Sequence, residues 1–449
     1  MDKIIRNSIK MKFRTDGIRA KVNEFEDDKI RDMGKCLAVK SGLNPIVVGR
    51  DTRSSGKSFF NLFIEGVKLG GGRVFDVGIL PTPAISFLTK FFECDFGVQI
   101  TASHNSIDYN GFKFFDSNGR KICGDVQRYI ERSYNLGFDL EFSDVVDNSF
   151  VVIDKVEVSQ NIYVKYLLES LSKKVDGCGK KIVIDCANGA TSLIIKRVFE
   201  DFNFDCIFYN YDIENDLINE KCGSCYPEFI CKRVVEEKAY LGVAFDGDGD
   251  RIILCDEKGN VIDGDQILTF LAICYKRKDE LLKDVLVVTD YTNFAVDEYL
   301  KDYGINVVRV RNGDINVTNK IVKSGYNLGG EKSGHIILDD KVGSGDGILC
   351  VLKLLFNLDL NRNVSEQLSL VEMNPEILIN IEVDFDFELE SILRFGAKFE
   401  ILHNLKRVFI RKSGTENKLR VLMEADYDFY YLKDEFESII KEELLKCKQ

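Results

Sequence analysis

Three apolar runs of strand length, each opening into a polar loop that carries an aspartate, constrain this chain more than any other feature. They are Pro45-Ile46-Val47-Val48-Gly49, Lys181-Ile182-Val183-Ile184-Asp185 and Asp284-Val285-Leu286-Val287-Val288, and the loops carry Asp51, Asp185 and Asp290. Short runs rich in Val and Ile read as strands buried on both faces, and a helix-compatible segment follows each loop. That alternation predicts α/β layers built as three related modules.

At 449 residues the chain also exceeds what one core supports, roughly 250 to 300 residues. A first boundary fits the polar stretch from Asp144 to Asp154, with Ser159 expected to cap a helix through Tyr163, Leu167 and Leu168. A second is expected just after the loop Asp246 to Arg251. The third falls at Asn374-Pro375, where the alternation gives way to strands around Ile377-Leu378-Ile379 and Val408-Phe409-Ile410, then an amphipathic helix from Tyr431 to Leu445. The expected domains are 1–154, 155–252, 253–373 and a smaller α+β domain, 374–449.

Composition narrows the function. With 45% hydrophobic and 30% charged residues and no low-complexity tract, the chain reads as soluble and globular. Sixty-one Lys and Arg against 73 Asp and Glu give a net charge of −12, which opposes nonspecific binding to nucleic acid or anionic membranes. A small anionic substrate would therefore need a local basic cluster. Apolar stretches such as Ile348-Leu349-Cys350-Val351-Leu352 fall short of the ~20 residues of a membrane helix. The start, Met1-Asp2-Lys3-Ile4-Ile5-Arg6, lacks the apolar core of a secretion signal. Thirteen scattered cysteines, an odd number, point to reduced thiols and a cytoplasmic location. Cys222-Gly223-Ser224-Cys225 has the spacing of half a zinc site, but no second pair completes it.

Four polar loops carry the chemistry. Thr101-Ala102-Ser103-His104-Asn105 follows the apolar run Phe96 to Ile100, which puts Ser103 at a strand's carboxyl end, where α/β folds bind ligands. A serine hydroxyl needs a base, a metal or neighbouring donors to act as a nucleophile. His104, the next residue, is expected to point away from it, and no G-x-S-x-G elbow surrounds it. Asp246, Asp248 and Asp250 alternate with glycines between Leu241-Gly242-Val243-Ala244-Phe245 and Ile252-Ile253-Leu254-Cys255. Carboxylates so close repel one another without a cation, and hard oxygen ligands favour Mg²⁺ or Ca²⁺. Glu257 stands twelfth from Asp246, as in an EF-hand, but Arg251 occupies the position that requires glycine.

The third loop, Gly330-Glu331-Lys332-Ser333-Gly334-His335, offers a carboxylate, a hydroxyl and an imidazole, a donor and acceptor set suited to adjacent sugar hydroxyls. The fourth, Arg411-Lys412-Ser413-Gly414-Thr415-Glu416, offers Arg411 for bidentate contact and Ser413-Gly414-Thr415 for N–H and hydroxyl contacts to a phosphate, with Arg420 as a second guanidinium. No G-x-x-x-x-G-K-[ST] occurs there, so it is not a P-loop. Taken singly, each loop reads as a polar or charged turn. Together they supply a nucleophile, a cation cage, a sugar loop and a phosphate loop.

The order and spacing of these loops, from Phe13-Arg14-Thr15-Asp16-Gly17-Ile18-Arg19 to Arg420, resemble the α-D-phosphohexomutase family over nearly the whole chain. The resemblance implies an α/β fold of three related α/β domains with mixed sheets, plus a smaller C-terminal α+β domain, around a central cleft. It implies that Ser103 is a phosphoserine and, with Asp246, Asp248 and Asp250, ligates one Mg²⁺. Lys113, within Asp108-Tyr109-Asn110-Gly111-Phe112-Lys113, falls on the family's catalytic lysine, and Arg19 and His104 join it. Arg251, Glu331, Ser333 and His335 would bind the sugar phosphate, and Arg411, Ser413, Gly414, Thr415 and Arg420 the phosphate not being transferred.

The implied activity is that of an isomerase: phosphoserine donates to one end of a hexosamine monophosphate, the 1,6-bisphosphate turns around, and the other phosphate returns to the serine. Closure of the fourth domain would keep water out. Phe13 to Arg19, Cys222-Gly223-Ser224 with Pro227-Glu228, Asp263-Gly264-Asp265-Gln266 and Gly329-Gly330-Glu331 resemble the family's bacterial branch that interconverts glucosamine 6-phosphate and glucosamine 1-phosphate. That branch feeds UDP-N-acetylglucosamine and cell-wall precursors. Lys332, Arg14 and Ala20 depart from its pattern, and Arg14 resembles the branch acting on mannose and glucose phosphates. A Mg²⁺-dependent sugar phosphatase and a silent sugar-phosphate-binding protein stay open as alternatives, as do a monomer and a homodimer.

Overall fold

The computed structural model describes residues 13, 16–42, 44–136, 151–338, 343–383, 385, 387, 389–412 and 418–446. Its first sheet gathers β1 (Ile18–Lys21), β2 (Pro45–Arg50), β3 (Arg73–Ile79), β4 (Phe96–Ile100), β5 (Tyr109–Asp116) and β6 (Val152–Asp154) in the order β1-β5-β4-β2-β3-β6. β4, β2, β3 and β6 run parallel, whereas β5 runs antiparallel to β4 and β1 antiparallel to β5. Helices Asp27–Ser41 and Ser54–Leu69 bury Ile30, Met33, Leu37, Phe59, Phe63 and Val67 in one core with Ile46, Val48 and Phe112. Each such side chain contributes roughly 1.5–3 kcal/mol. The two helices close at Gly34 and Gly66, where a Cβ would fall 2.1 Å and 2.0 Å from the carbonyl oxygens of Phe63 and Arg31.

The second sheet consists of β7 (Lys181–Asp185), β8 (Asp205–Tyr209), β9 (Leu241–Phe245), β10 (Ile252–Cys255) and β11 (Val261–Ile262), ordered β11-β10-β9-β7-β8. β7, β8 and β9 are parallel, and β10 folds back antiparallel on β9. The sheet therefore runs on to Ile262, past the boundary expected after residue 252, because the aspartate loop is the turn of a hairpin and not a linker. The helix expected to begin at Ser159 spans Val156–Glu169 instead. Lys155 is the N-cap, and the Asp154 carboxylate before it accepts the otherwise free Val156 N–H at 2.9 Å, leaving Ser159 buried one turn in.

A third sheet, β12 (Val285–Thr289), β13 (Asn306–Val310), β14 (Gly329–Gly330) and β15 (Ile336–Ile337), has the order β13-β12-β14-β15, with β14 parallel to β12 and antiparallel to β15. The fourth is wholly antiparallel: β16 (Glu376–Glu382), β17 (Arg407–Lys412) and β18 (Lys418–Glu424), ordered β16-β18-β17. Helices Leu389–Leu402 and Leu432–Lys446 share its core through Ile392, Phe399, Phe436 and Ile440. The fold is thus α/β, with three mixed sheets and a smaller α+β domain.

The chain packs as two compact units, Met1–Asp290 with Val307–Leu370, and Tyr291–Asn306 with Val371–Gln449. Within the second, buried Glu424 ties helix Phe294–Lys301 to the antiparallel sheet. Its Oε1 accepts the Phe294 N–H and the Asn374 amide, both at 2.8 Å, and its Oε2 accepts the Arg407 guanidinium. Among the described residues no helix is long and apolar enough to cross a membrane.

Candidate active site

Ser103 stands where the chain leaves β4, fully buried, with φ at +51° in the left-handed region that a residue with a Cβ seldom adopts. Its bonds hold it there. The Ser103 N–H donates to Thr101 Oγ1 at 2.8 Å, its carbonyl accepts from Arg53 and Asn219, and its Oγ donates to Asp246 Oδ2 at 2.8 Å. His104 Nδ1 lies 3.4 Å from the same Oγ, so the ring flanks the hydroxyl, but the carboxylate is the closer partner. The Arg251 guanidinium above all, then burial, pulls His104 down to about 2, which leaves the imidazole neutral at neutral pH.

The three aspartates of the β9–β10 turn converge, each offering one carboxylate oxygen within 4.8 Å of the others. Thr82 Oγ1 donates to Asp248 Oδ2, and the Arg251 N–H donates to Asp246 Oδ1 at 3.2 Å. Lys113, buried on β5, sets its Nζ 2.6 Å from Asp250 Oδ2, 2.8 Å from Asp248 Oδ2 and 3.1 Å from Asp16 Oδ2. Asp248 Oδ1 and Asp250 Oδ1 are buried without a hydrogen-bond partner. Orphaned carboxylate oxygens in the interior are costly, and a hard divalent cation would satisfy both. These residues can hold a metal ion.

The electrostatics of the cluster are lopsided. Burial first, then the neighbouring Asp250 and Asp248, pushes the Asp246 carboxyl well above its usual range. Burial also works hardest against Asp250, but the Lys113 ammonium, together with His335 and Arg251, outweighs it and holds that carboxyl below the usual range. Lys113 itself is desolvated, yet Asp16, Asp248 and Asp250 keep it firmly protonated. Lys113→Met is expected to lower stability by about 3 kcal/mol, the cost of stranding buried carboxylates. Urea unfolding in a chelator reads the loss, which should shrink when a divalent cation is added. An unchanged midpoint in chelator would show that Lys113 is not the charge partner.

Residues on and around the strands of the first and third sheets complete the network. Arg19 on β1 donates through Nη1 to Asn105 Oδ1 at 2.9 Å and through Nη2 to Asp16 Oδ2 at 3.1 Å. The Lys121 ammonium joins Asp16 Oδ1 to Asp314 Oδ2. His335 Nε2 lies 3.3 Å from Asp314 Oδ2 and 3.8 Å from Asp250 Oδ2. Sequence reasoning passed over Asp16, which sits inside the quoted N-terminal motif, and over Lys121 and Asp314. The latter two are 193 residues apart and carry no local signal, since only their burial against each other marks them.

The loop Glu331 to His335 rests on the end of the aspartate hairpin. Gly334, at φ +87°, accepts the Ile252 N–H at 3.0 Å, and a Cβ there would fall 1.9 Å from the Ile252 oxygen. Only glycine fits that approach. Glu331 Oε1 accepts the Gly313 N–H at 3.1 Å, and Ser333 is exposed. Lys332 Nζ lies 3.6 Å from Asp263 Oδ2, at the start of helix Gly264–Arg277. Arg251 Nε lies 3.9 Å from Asp250 Oδ1. The first unit thus brings together Arg19, Ser103, His104, Lys113, Asp246, Asp248, Asp250, Arg251 and His335.

In the second unit Arg411 on β17 stands directly opposite Arg420 on β18. Arg411 Nε donates to the Tyr291 hydroxyl at 3.0 Å, and its guanidinium lies 5.2 Å from that ring's centroid. Like charges paired across strands repel, and an anion such as phosphate would relieve them. Ser413, Gly414 and Thr415 lie outside the described residues.

Comparison with known proteins matches this architecture over nearly its whole length. Family profiles described as "Phosphoglucomutase/phosphomannomutase" match in chain order: alpha/beta/alpha domain I at residues 10–138, domain II at 161–259, domain III at 263–373 and the C-terminal domain at 378–442. The chain belongs to the phosphohexomutase family. Within that family it is similar to the phosphoglucosamine mutase of Nautilia profundicola, 36% identical over 447 residues that span 97% of this chain and 98% of the relative. The phosphoglucosamine mutase of Clostridioides difficile is 37% identical over 438 residues, 92% of this chain and 94% of the relative. The fold recurs in a phosphoglucomutase/phosphomannomutase family protein from Burkholderia thailandensis, at a TM-score of 0.79 and 23% identity over 98% of each chain. It recurs again in Aspergillus fumigatus N-acetylphosphoglucosamine mutase in complex with GlcNAc-6P and magnesium, at a TM-score of 0.64 and 18% identity over 97% of this chain and 95% of that one.

Proposed function

We propose that the chain is an isomerase that interconverts glucosamine 6-phosphate and glucosamine 1-phosphate through a phosphoserine at Ser103 and a glucosamine 1,6-bisphosphate intermediate. The observation that carries the reading is the contact of Ser103 Oγ with Asp246 Oδ2 in the cluster it forms with Asp248 and Asp250, each of which buries an Oδ1 without a hydrogen-bond partner. A left-handed backbone, hydrogen-bonded at both its N–H and its carbonyl, presents the hydroxyl to the turn where, among the described residues, three carboxylates converge. Full-length similarity to phosphoglucosamine mutases supports the choice of reaction.

Asp246, Asp248 and Asp250, with an oxygen on Ser103, would hold one Mg²⁺. When bound, that ion neutralises charge on the group being transferred. The chain's own residues do the rest. Ser103 Oγ is the atom that accepts and returns the phosphoryl group. Lys113 and Arg19, fixed by Asp16 and Asn105, set the charge around it, and neutral His104 flanks the hydroxyl. Arg251, Glu331, Ser333 and His335 are assigned to the sugar phosphate, and Arg411 and Arg420, with Ser413, Gly414 and Thr415, to the phosphate that stays in place. After the first transfer the bisphosphate must exchange ends before the second phosphate returns to Ser103.

Lys332, which departs from the glucosamine-phosphate pattern, has its ammonium near Asp263. That pairing favours the amino sugar, because a free ammonium in the sugar loop would repel a protonated 2-amino group while Glu331 attracts it. Side-by-side kinetics of the purified protein with glucosamine, glucose and mannose phosphates test the reading. The expected result is the highest kcat/KM with glucosamine phosphate, by about 10-fold or more. A higher value for glucose or mannose phosphate would transfer the assignment to those sugars, and release of inorganic phosphate without isomerisation would make the protein a phosphatase.

A further inference from the structure

We propose that Arg53 is the positioning residue of the nucleophile loop and that Asn219, from the second module, completes its clamp. The role rests on Ser103 being the phosphorylated group. Arg53 follows β2, and its side chain is wholly buried. Its five N–H donors are all used. Nε donates to Asp51 Oδ2 at 2.9 Å, Nη1 to the carbonyls of Ser106 and of Tyr109, the latter at 3.0 Å, and Nη2 to those of Ser103 and Asn105, both at 2.8 Å. Asn219, between β8 and β9, donates both of its amide hydrogens to the same pair, Ser103 O at 2.8 Å and Asn105 O at 3.0 Å.

The other side of the Ser103 backbone is fixed through the same carboxylate. Asp51 Oδ2 also accepts Thr101 Oγ1 at 2.7 Å, and Thr101 Oγ1 accepts the Ser103 N–H at 2.8 Å. Both peptide groups of Ser103 are therefore held by one buried Arg53–Asp51 ion pair. A loop of this kind would ordinarily leave its carbonyls to water. Here a guanidinium is buried instead, at a desolvation cost that only full use of its donors offsets. The result is a serine kept in the left-handed region with Oγ aimed at Asp246. A misplacement of about 1 Å at such a nucleophile can cost 10²-fold in rate.

The test compares the wild-type protein with Arg53→Lys and Asn219→Ala, each with Mg²⁺ and a sugar 1,6-bisphosphate, by following phosphate on Ser103 with intact-protein mass spectrometry at short times. Lysine keeps the charge but carries three donors on one nitrogen in place of five spread over a planar fork, so it cannot reach the Asp51 carboxylate and all four carbonyls together. The rate constant for Ser103 phosphorylation, and with it kcat, is expected to fall about 100-fold in Arg53→Lys and about 10-fold in Asn219→Ala, while KM changes by less than about threefold. A merely structural role would instead lower the amplitude, through a smaller folded fraction, and leave the rate constant unchanged. That outcome, or wild-type rate constants in both variants, would overturn the proposal. If Arg53→Lys does not fold, Asn219→Ala decides alone, and an unchanged rate constant there overturns the clamp. Absence of phosphate on wild-type Ser103 would instead sink the phosphoserine reading on which the clamp rests.

Discussion

Ser103→Ala is expected to abolish isomerisation, with kcat down on the order of 10⁴-fold or more, while the protein stays folded. The size follows from the role: no other hydroxyl in the loop contacts Asp246, and the mechanism passes through a covalent bond to this oxygen. Folding should survive, because the substitution removes one hydrogen bond to a carboxylate, worth about 1–3 kcal/mol. The clamp on the Ser103 backbone does not use the side chain. After incubation with sugar bisphosphate, intact-protein mass spectrometry should show one phosphate on the wild type and none on the variant. Equal turnover by the variant would end the phosphoserine mechanism.

Removal of the divalent cation should be nearly as damaging, and Asp248→Asn should weaken both activity and cation binding. Asn preserves shape and can still accept the Thr82 hydroxyl, but it removes charge from the side that holds an unpartnered oxygen. We expect kcat to fall about 10²- to 10³-fold. A readout independent of activity comes from thermal unfolding. Mg²⁺ at about 100 times its dissociation constant should stabilise the wild type by about 2.7 kcal/mol, and the same concentration should do little for Asp248→Asn. Full activity in chelator, or equal stabilisation of the two proteins, would remove Asp248 from the metal site.

Much of the fold could be read locally. The runs at 45–49, 181–185 and 284–288 became β2, β7 and β12, because Val and Ile side chains buried on both faces need no distant partner to declare a strand. The same holds for β17 and the final helix, where the apolar pattern is strong. Boundaries were harder. Ser159 looked like a helix cap until Asp154, a few residues upstream, proved better placed to take the first N–H. The domain edge expected just after the aspartate turn falls inside a sheet, since the local pattern does not reveal that β10 returns to pair with β9.

The sequence by itself determined which chemistry was available. The serine, the three aspartates, the sugar loop and the paired arginines each sit in short segments whose residue types limit what they can bind. Tertiary structure alone decided how that chemistry is held. Lys121 with Asp314, and Arg53 with Asn219, join segments more than a hundred residues apart, and each reads in sequence as an ordinary charged or polar residue. The physical reason is burial: an ion or an amide acquires its strong directional role only when water is excluded and its remaining partners are chosen by the fold. Local pattern records propensity, whereas the desolvation that turns Arg53 into a clamp and Lys113 into a fixed charge exists only in the packed chain.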